Sequence, residues 1–583
     1  MRAQIAVLDA GGQYCHLIAR KVRDLGVFAE VADSETPASE LRSAKGVIIS
    51  GGPSSVYDPG SPAIDPHVLA AGAPVLGICY GQQLMAHLLG GTVEKGERGE
   101  YGFAQLDLRA EDSLFRGIAG PQQVWMSHRD LVARPPEGFR VLASTTTCGV
   151  AAMSAPERRL YAVQFHPEVV HTPSGVQILS NFVFGICGCV RDWNPAGQIQ
   201  ELEAKIRETA AGRNVFFFVS GGVDSTVAYT LCLKSLGPDR VHGAYVDTGL
   251  MREGETEFVR ANFAALGASR FQVEEASPRF LAALENAIEP EQKRHAIGEE
   301  FVRVQQGILE SEKFLDGQWI LGQGTIYPDT IESGGTDKAE LIKTHHNRVA
   351  GIQRLIDEGR IIEPLSSFYK DEVRAVGREL GLAPALLDRH PFPGPGLAIR
   401  CLCGAESAEP VKSDFGWILP VRSVGVQGDS RTYRRVLAID DFPGSSEEAA
   451  HLVNRNENVN RVVTAIRAAA PISELRAHPA RITQERLTRL RRADAIVRHL
   501  SHDSGFDKQV WQFPVVLIPF GTSDRPDSIV LRPIDSVDGM TASVVRAPEE
   551  LLRRICQELE TVEGVAAVFY DLTNKPPATI EWE

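Results

Sequence analysis

At 583 residues the chain is too long for one hydrophobic core, and three or four domains are expected. Its 43% hydrophobic and 23% charged residues are ordinary for a globular protein. The formal net charge of −14 disfavours nucleic acid or an anionic membrane as the main partner, since either calls for a basic face. Nucleotides stay open to it, because local amides and a few cations suffice to hold them. Nine cysteines in so long a chain make neither a disulfide framework nor a zinc array. Cys187/Cys189 and Cys401/Cys403 are spaced too tightly for structural zinc and read as small buried residues.

The N-terminus puts Asp9 straight after a short apolar run, so it reads as a first strand and not as a secretory signal. No apolar stretch approaches the ~20 residues of a membrane span, and a reducing cytoplasm is the expected setting. Ile5–Leu8, Val47–Ile49, Val75–Ile78 and Tyr161–Phe165 read as buried strands of an α/β sheet. Asp192-Trp-Asn-Pro195 breaks the pattern before an amphipathic helix, Glu201–Ala210. A second α/β pattern follows, with strands Val215–Val219 and His242–Val246. His390-Pro-Phe-Pro-Gly-Pro-Gly396 then precludes any continuous helix. These breaks divide the chain into domains at 1–192, 193–400 and 401–583, the last of α+β type. Within it Trp417–Val421 resembles Trp511–Val515, and Glu457–Val463 resembles Glu563–Phe569, in the same order. We read this as a duplication that sets two similar units side by side as a pseudo-dimer.

Three segments of the first domain carry chemistry. Gly77-Ile-Cys-Tyr-Gly81 lies between the strand Val75–Ile78 and a helical run, Gln82–Leu89. This is a nucleophile-elbow layout with cysteine as the nucleophile, and the helix N-terminus behind it favours thiolate. His166-Pro-Glu168 follows directly on the strand Tyr161–Phe165, which suits a base oriented by a carboxylate. Ser50-Gly-Gly-Pro53 offers backbone amides to an oxyanion. Together these resemble the class I glutamine amidotransferases. The resemblance implies Cys79 as nucleophile, His166 as general base and Glu168 as its orienter, with substrate contacts near Ser127–Asp130.

In the second domain Ser220-Gly-Gly-Val-Asp-Ser225 follows a strand and opens a helix near Thr226. Glycines let the backbone approach phosphate, and the helix N-terminus favours negative charge. The lysine of a Walker A loop is missing. The string resembles the loop of the ATP pyrophosphatase (PP-loop) enzymes, an α/β fold of the adenine nucleotide alpha hydrolase type. That implies ATP bound by Ser220, Gly221, Gly222, Val223, Asp224 and Ser225, cleaved between its α and β phosphates with Mg²⁺ in attendance. The ligands of the metal are not readable. Val246-Asp-Thr-Gly249, at the end of the next strand, is where such folds hold the adenosine.

The order of these domains resembles the glutamine-hydrolysing GMP synthetase family over nearly the whole chain. The resemblance includes Tyr327–Ser333, Lys343–Asn347, His390–Leu397, Ser423–Asp429 and the tail Lys575-Pro-Pro-Ala-Thr-Ile-Glu-Trp-Glu583. It implies XMP, ATP and glutamine as substrates, with Arg294, Asp429, Gln512, Lys575 and Glu581 lining the XMP site. It also implies an inserted segment of about 90 residues at about 434–527, as in the family's longer form. The chain is then a homodimer or a monomer with an internal pseudo-dimer. The arginine-rich helix Glu485–Leu500 in the insert reads as a solvated face and not as an RNA surface. Two rivals remain: a PP-loop amidotransferase acting on another acceptor, as in NAD synthesis, and a non-catalytic nucleotide sensor. The first usually carries a nitrilase-type glutaminase; the second predicts loss of a reactive group.

Overall fold

The computed structural model describes residues 3–12, 14–332, 350–427, 430–440, 449, 452–453, 455–456, 458–536 and 541–583. The chain divides into two compact units, Met1–Pro195 and Ala196–Glu583. It is a mixed α/β protein throughout.

The first unit is built on β1 (Ile5–Asp9), β2 (Ala29–Asp33), β3 (Gly46–Ile49), β4 (Val75–Ile78), β5 (Thr92–Leu108), β6 (Gln122–Arg134), β7 (Arg140–Ser144), β8 (Ala152–Ala155) and β9 (Leu160–Val163). They form one sheet in the order β2-β1-β3-β4-β9-β8-β7-β5-β6. The β2-β1-β3-β4-β9 half is parallel. Its strands β3, β4 and β9 are buried along their whole length, which is why they read as unbroken apolar runs. From β9 to β6 the pairings are antiparallel, ending in the long β5–β6 ribbon. Trp193 stacks on Phe28 at 4.5 Å, with Arg23 over both rings, so the end of the unit packs back on its own start.

The second unit opens with a five-stranded parallel sheet: β10 (Asn214–Phe218), β11 (Val241–Asp247), β12 (Phe271–Glu275), β13 (Trp319–Gly322) and β14 (Ile361–Ile362). Its order is β12-β11-β10-β13-β14. The chain therefore moves from β10 to one side and later returns to the other. The crevice outside the carboxyl end of β10 is the topological switch point, where open α/β sheets hold ligands.

Beyond it come β15 (Val411–Ser413), β16 (Gly416–Gln427), β17 (Ser430–Ile439), β18 (Val459–Ala468), β19 (Arg476–Ala477), β20 (Val515–Ile518), β21 (Phe520–Gly521), β22 (Asp527–Leu531), β23 (Ile534–Asp535), β24 (Ser543–Val544) and β25 (Val565–Asp571). The main sheet here runs β15-β16-β17-β18-β25-β22-β20. Apart from the edge strand β15, it reads the same from both ends. β18 and β25 meet antiparallel at the centre; each is parallel to its outer neighbour, β17 or β22, and those are antiparallel to β16 and β20. The second pair of repeated segments falls on equivalent places, since β18 begins at Val459 and β25 at Val565, while Trp417–Val421 lies within β16 and only Val515 of Trp511–Val515 lies in β20. The duplication expected from the sequence is thus a pseudo-twofold about the β18–β25 pair.

The end of that pair where β25 stops carries buried charge. Asp571 accepts from Arg461 at 2.8 Å and from the Trp582 indole at 2.9 Å and forms an ion pair with Arg532 at 2.8 Å, with all four side chains buried. Burial alone would raise the Asp571 carboxyl, but Arg532 and Arg461 hold it below the usual carboxylate value. The arginine-rich helix corrects the sequence reading. It spans Gln484–Ser504, and Arg486 and Arg489 on it are buried, both paired with Asp527. The partner acid lies some forty residues away in sequence, so the charge pattern of the helix alone could not show it.

Candidate active site

The thiol sits on a turn that only certain residues can make. Cys79 has φ +52°, between β4 and the helix Tyr80–Leu88, which begins two residues earlier than the sequence suggests. A Cβ on Gly77 would lie 2.5 Å from the Gly81 carbonyl oxygen, and one on Gly81 would lie 2.3 Å from that of Ile49. Both glycines are therefore required for the backbone to fold back against β3. The Cys79 amide still donates to Val163 at 2.8 Å, so the turn starts from the end of a fixed strand.

His166 reaches this turn from beyond β9. The strand ends at Val163, and Gln164 and Phe165 intervene between it and His166. The His166 amide donates to the Trp125 carbonyl at 3.0 Å, and the Thr172 hydroxyl donates to the His166 carbonyl at 2.7 Å. Its Nδ1 lies 2.7 Å from Oε1 of the buried Glu168, which leaves Nε2 for the thiol. Burial pushes the imidazole pKa down. The Glu168 carboxylate and a side-chain hydrogen bond with Cys79 outweigh it and hold His166 well above its ordinary value. Gly51 lies against both groups, for a Cβ there would meet His166 Cε1 at 3.1 Å and Cys79 Cβ at 3.6 Å.

Further contacts on the sulfur escaped the sequence reading. Gln164 Nε2 donates to Cys79 Sγ at 3.6 Å, and Gln83 Nε2 in turn donates to Gln164 Oε1 at 3.2 Å and the Asp130 carbonyl at 2.7 Å. Of Ser127–Asp130, the Ser127 carbonyl accepts from the thiol at 3.7 Å, while His128 turns to Glu100 at 3.1 Å. A glutamine two residues before the histidine was the available signal for Gln164.

In the second unit Ser220–Ser225 leaves β10 at the switch point. The helix here begins at Val223, so Asp224 and Ser225 lie in its first turn. Gly221 has φ +73°, and a Cβ there would lie 2.6 Å from Val259. The Gly222 amide and the Ser225 hydroxyl lie 3.2 Å from the Ser220 hydroxyl, and the Thr226 hydroxyl donates to the Gly222 carbonyl at 2.7 Å. Gly324 packs on this turn, for a Cβ there would lie 2.7 Å from Ser225 Cα. Asp224 is the charged member. Burial and the nearby Asp329 raise its pKa against Lys370, whose ammonium is 3.9 Å away. Its Oδ1 is buried with no hydrogen-bond partner among the described residues.

The residues expected to line the XMP site are only partly gathered. Arg294 donates to the Glu583 carbonyl at 2.6 Å, and its Nε is buried without a hydrogen-bond partner. Glu581 is held by Arg400 through two hydrogen bonds of 2.9 and 2.6 Å. Lys575 pairs by its backbone with Ala542. Gln512 instead pairs by its backbone with Ile534, and its carboxamide oxygen is buried without a partner. Asp429 lies outside the described residues, as do Ser333 and Lys343–Asn347. Lys293, missed in the sequence, is fully buried and donates to Glu583 Oε2 at 2.5 Å and to the Cys401 carbonyl at 2.9 Å. Despite that ammonium, burial pushes the Glu583 carboxyl up to about 7.

Comparisons with known proteins cover the first unit and the end of the second by family models, and the whole chain by relatives. The family model for class-I glutamine amidotransferases matches residues 6–186, and that for the GMP synthase C terminal domain matches residues 499–582. A protein of Leptospira interrogans serovar copenhageni, named "Probable GMP synthase (glutamine-hydrolyzing)", is 41% identical, covering 100% of this chain and 99% of its own. Glutamine-hydrolysing GMP synthases of Carboxydothermus hydrogenoformans and Caldicellulosiruptor saccharolyticus are 40% and 39% identical. The first alignment covers 100% of both chains and the second 99% of both. With this identity over its full length, the chain belongs to the glutamine-hydrolysing GMP synthase family.

Proposed function

We propose that the chain aminates XMP to GMP at the expense of ATP, with ammonia released from glutamine at Cys79. The Cys79 sulfur, as thiolate, attacks the glutamine carboxamide carbon. The backbone amides of Tyr80 and Gly52 would receive the negative charge on the carbonyl oxygen. His166, kept protonated by Glu168, passes a proton to the departing nitrogen, so ammonia leaves and a thioester remains. Water, deprotonated by His166, then releases glutamate. Gln164 and Gln83 orient the sulfur and exclude solvent beside it. The observation that carries this half is the buried thiol on a turn that two glycines make possible, with the buried His166–Glu168 pair brought to it from beyond β9.

At Ser220–Ser225 the amides and hydroxyls would cradle the ATP phosphates at the N-terminus of the helix Val223–Leu236. The C2 oxygen of XMP attacks the α phosphorus and pyrophosphate leaves. Ammonia then attacks C2, and AMP departs with that oxygen. Free ammonia is mostly ammonium at neutral pH, so its delivery to the second site out of bulk water is a mechanistic need. The unpartnered Asp224 Oδ1 and the neighbouring Asp329 carboxylate suit a hard divalent cation, and these two would hold Mg²⁺. When bound, the ion supplies charge neutralisation on the phosphates. Arg294, Lys575 and Glu581 serve the acceptor nucleotide in this reading, together with Gln512 and Asp429. The nine free thiols suit a reducing cytoplasm.

Asp224→Asn should lower ammonia-dependent AMP formation by about 10³-fold and raise the Mg²⁺ concentration needed for half-maximal rate. An unchanged Mg²⁺ dependence would remove Asp224 from that role. The reading as a whole is tested by AMP release from ATP with ammonium and XMP, against IMP and other acceptors. One AMP per GMP is expected, with XMP strongly preferred. The domain scheme 1–192, 193–400 and 401–583 carries over as the division of labour. The pseudo-twofold about β18 and β25 supports a monomer in which the duplicated half stands in for a dimer contact. Light scattering at micromolar concentration should give the monomer mass, and a dominant dimer would contradict this.

A further inference from the structure

Three consecutive carbonyls in the loop after β11 are gripped from outside the parallel sheet. Arg491, on the helix Gln484–Ser504, donates through Nη2 to the Gly249 carbonyl and through Nε to the Met251 carbonyl, the latter at 2.9 Å. Between them the Leu250 carbonyl accepts from the Leu397 amide at 2.7 Å. Leu397 ends the proline-rich segment His390–Leu397, to which the proposed reaction assigns no part. Gly396, with φ +64°, lets that segment come so close, for a Cβ there would lie 2.3 Å from the Leu250 oxygen. At the start of the loop Asp247 caps the Gly249 amide at 2.8 Å and the Thr256 hydroxyl at 2.7 Å.

The grip continues toward the C-terminal tail. Arg252, which follows the loop, lies 3.6 Å from Asp494 on the same helix and 4.5 Å from the Phe392 ring centroid. Arg400 lies 5.3 Å from that ring and holds Glu581. A planar guanidinium can span two carbonyls two residues apart; an ammonium can satisfy only one of them well.

We infer that Arg491 is a positioning residue for ATP: carried by the C-terminal half, it sets the backbone path of the loop 247–251, so ATP affinity depends on the seating of the helix Gln484–Ser504. The inference rests on the reading that the carboxyl end of β11 holds the adenosine. Displacing such a loop by an ångström is enough to lose a large part of productive binding.

The test uses the full chain with XMP, ATP and ammonium. Arg491→Met should raise the KM for ATP about tenfold or more, with kcat reduced less than about threefold and the KM for XMP within about twofold. Arg491→Lys, which keeps one donor, should fall between Met and the parent, with an unchanged Tm. A KM for ATP within about twofold of the parent in Arg491→Met would overturn the inference. So would a parallel rise in both KM values in the Lys variant, since that marks general loosening. If Arg491→Met does not fold, an unaltered KM for ATP in the Lys variant overturns it instead. Absence of AMP formation by the parent would strike the functional reading, and this outcome is separable from either.

Discussion

Cys79→Ala is expected to lower glutamine-dependent GMP formation by about 10⁴-fold or more, while ammonia-dependent formation stays within about twofold. The size follows from the role: without the sulfur no thioester forms, and His166 has no nucleophile to serve. The separation follows from the fold. Cys79, His166 and Glu168 lie in the unit Met1–Pro195, whereas Ser220–Ser225 and the residues assigned to XMP lie in Ala196–Glu583. Initial rates with glutamine and with ammonium, on the same preparation, check the result. Loss of both activities would refute separable sites, and retention of both would refute Cys79 as the nucleophile.

Asp571→Ala is the substitution expected to cost most in stability. Arg461 and Arg532 are fully buried, and Asp571 is the carboxylate that both of them reach. Their remaining hydrogen bonds go to neutral carbonyls and hydroxyls, such as those of Thr579, Glu581 and Ile580. Breaking a buried pair from one side costs about 3–5 kcal/mol, and here two cations lose their partner. A fall in Tm on the order of 5–10 °C is expected. Since these arginines also hold the tail Thr579–Glu581, affinity for XMP should fall with it. The folded pKa of Asp571 is lowered, so its contribution is present above the unfolded carboxylate value of about 4. It is lost only as the pH falls through the lower folded value. A Tm within about 2 °C of the parent at pH 7 would show that the pair contributes little.

What was legible in the sequence was local. Gly77, Cys79 and Gly81 define a turn within five residues, and Ser220–Ser225 defines a loop within six. Both declare their backbone geometry by composition. His166 and Glu168 were readable for the same reason, although the strand before them stops at Val163 and Gln164 reaches the sulfur. The missed features pair residues far apart in the chain. Lys293 with Glu583, Arg491 with Gly249 and Met251, and Arg486 with Asp527 leave no periodic trace, because the two partners of each lie in separate segments. The arginines on Gln484–Ser504 misled for that reason, since a helix dense in charge reads as solvated until its acids are located. The duplication was visible because strand pairs repeat their apolar pattern. That β18 and β25 meet at the centre needed the sheet order.

The central claim is that ammonia made at Cys79 is consumed at the ATP site of the same chain. It is tested most directly by supplying glutamine labelled with ¹⁵N in its amide together with unlabelled ammonium, and measuring the label in the exocyclic amine of GMP. The account predicts ¹⁵N in GMP well above its fraction in the free ammonia of the solution throughout the reaction. A label equal to that fraction from the first turnovers would mean that the two sites share only the solvent, and would contradict the account.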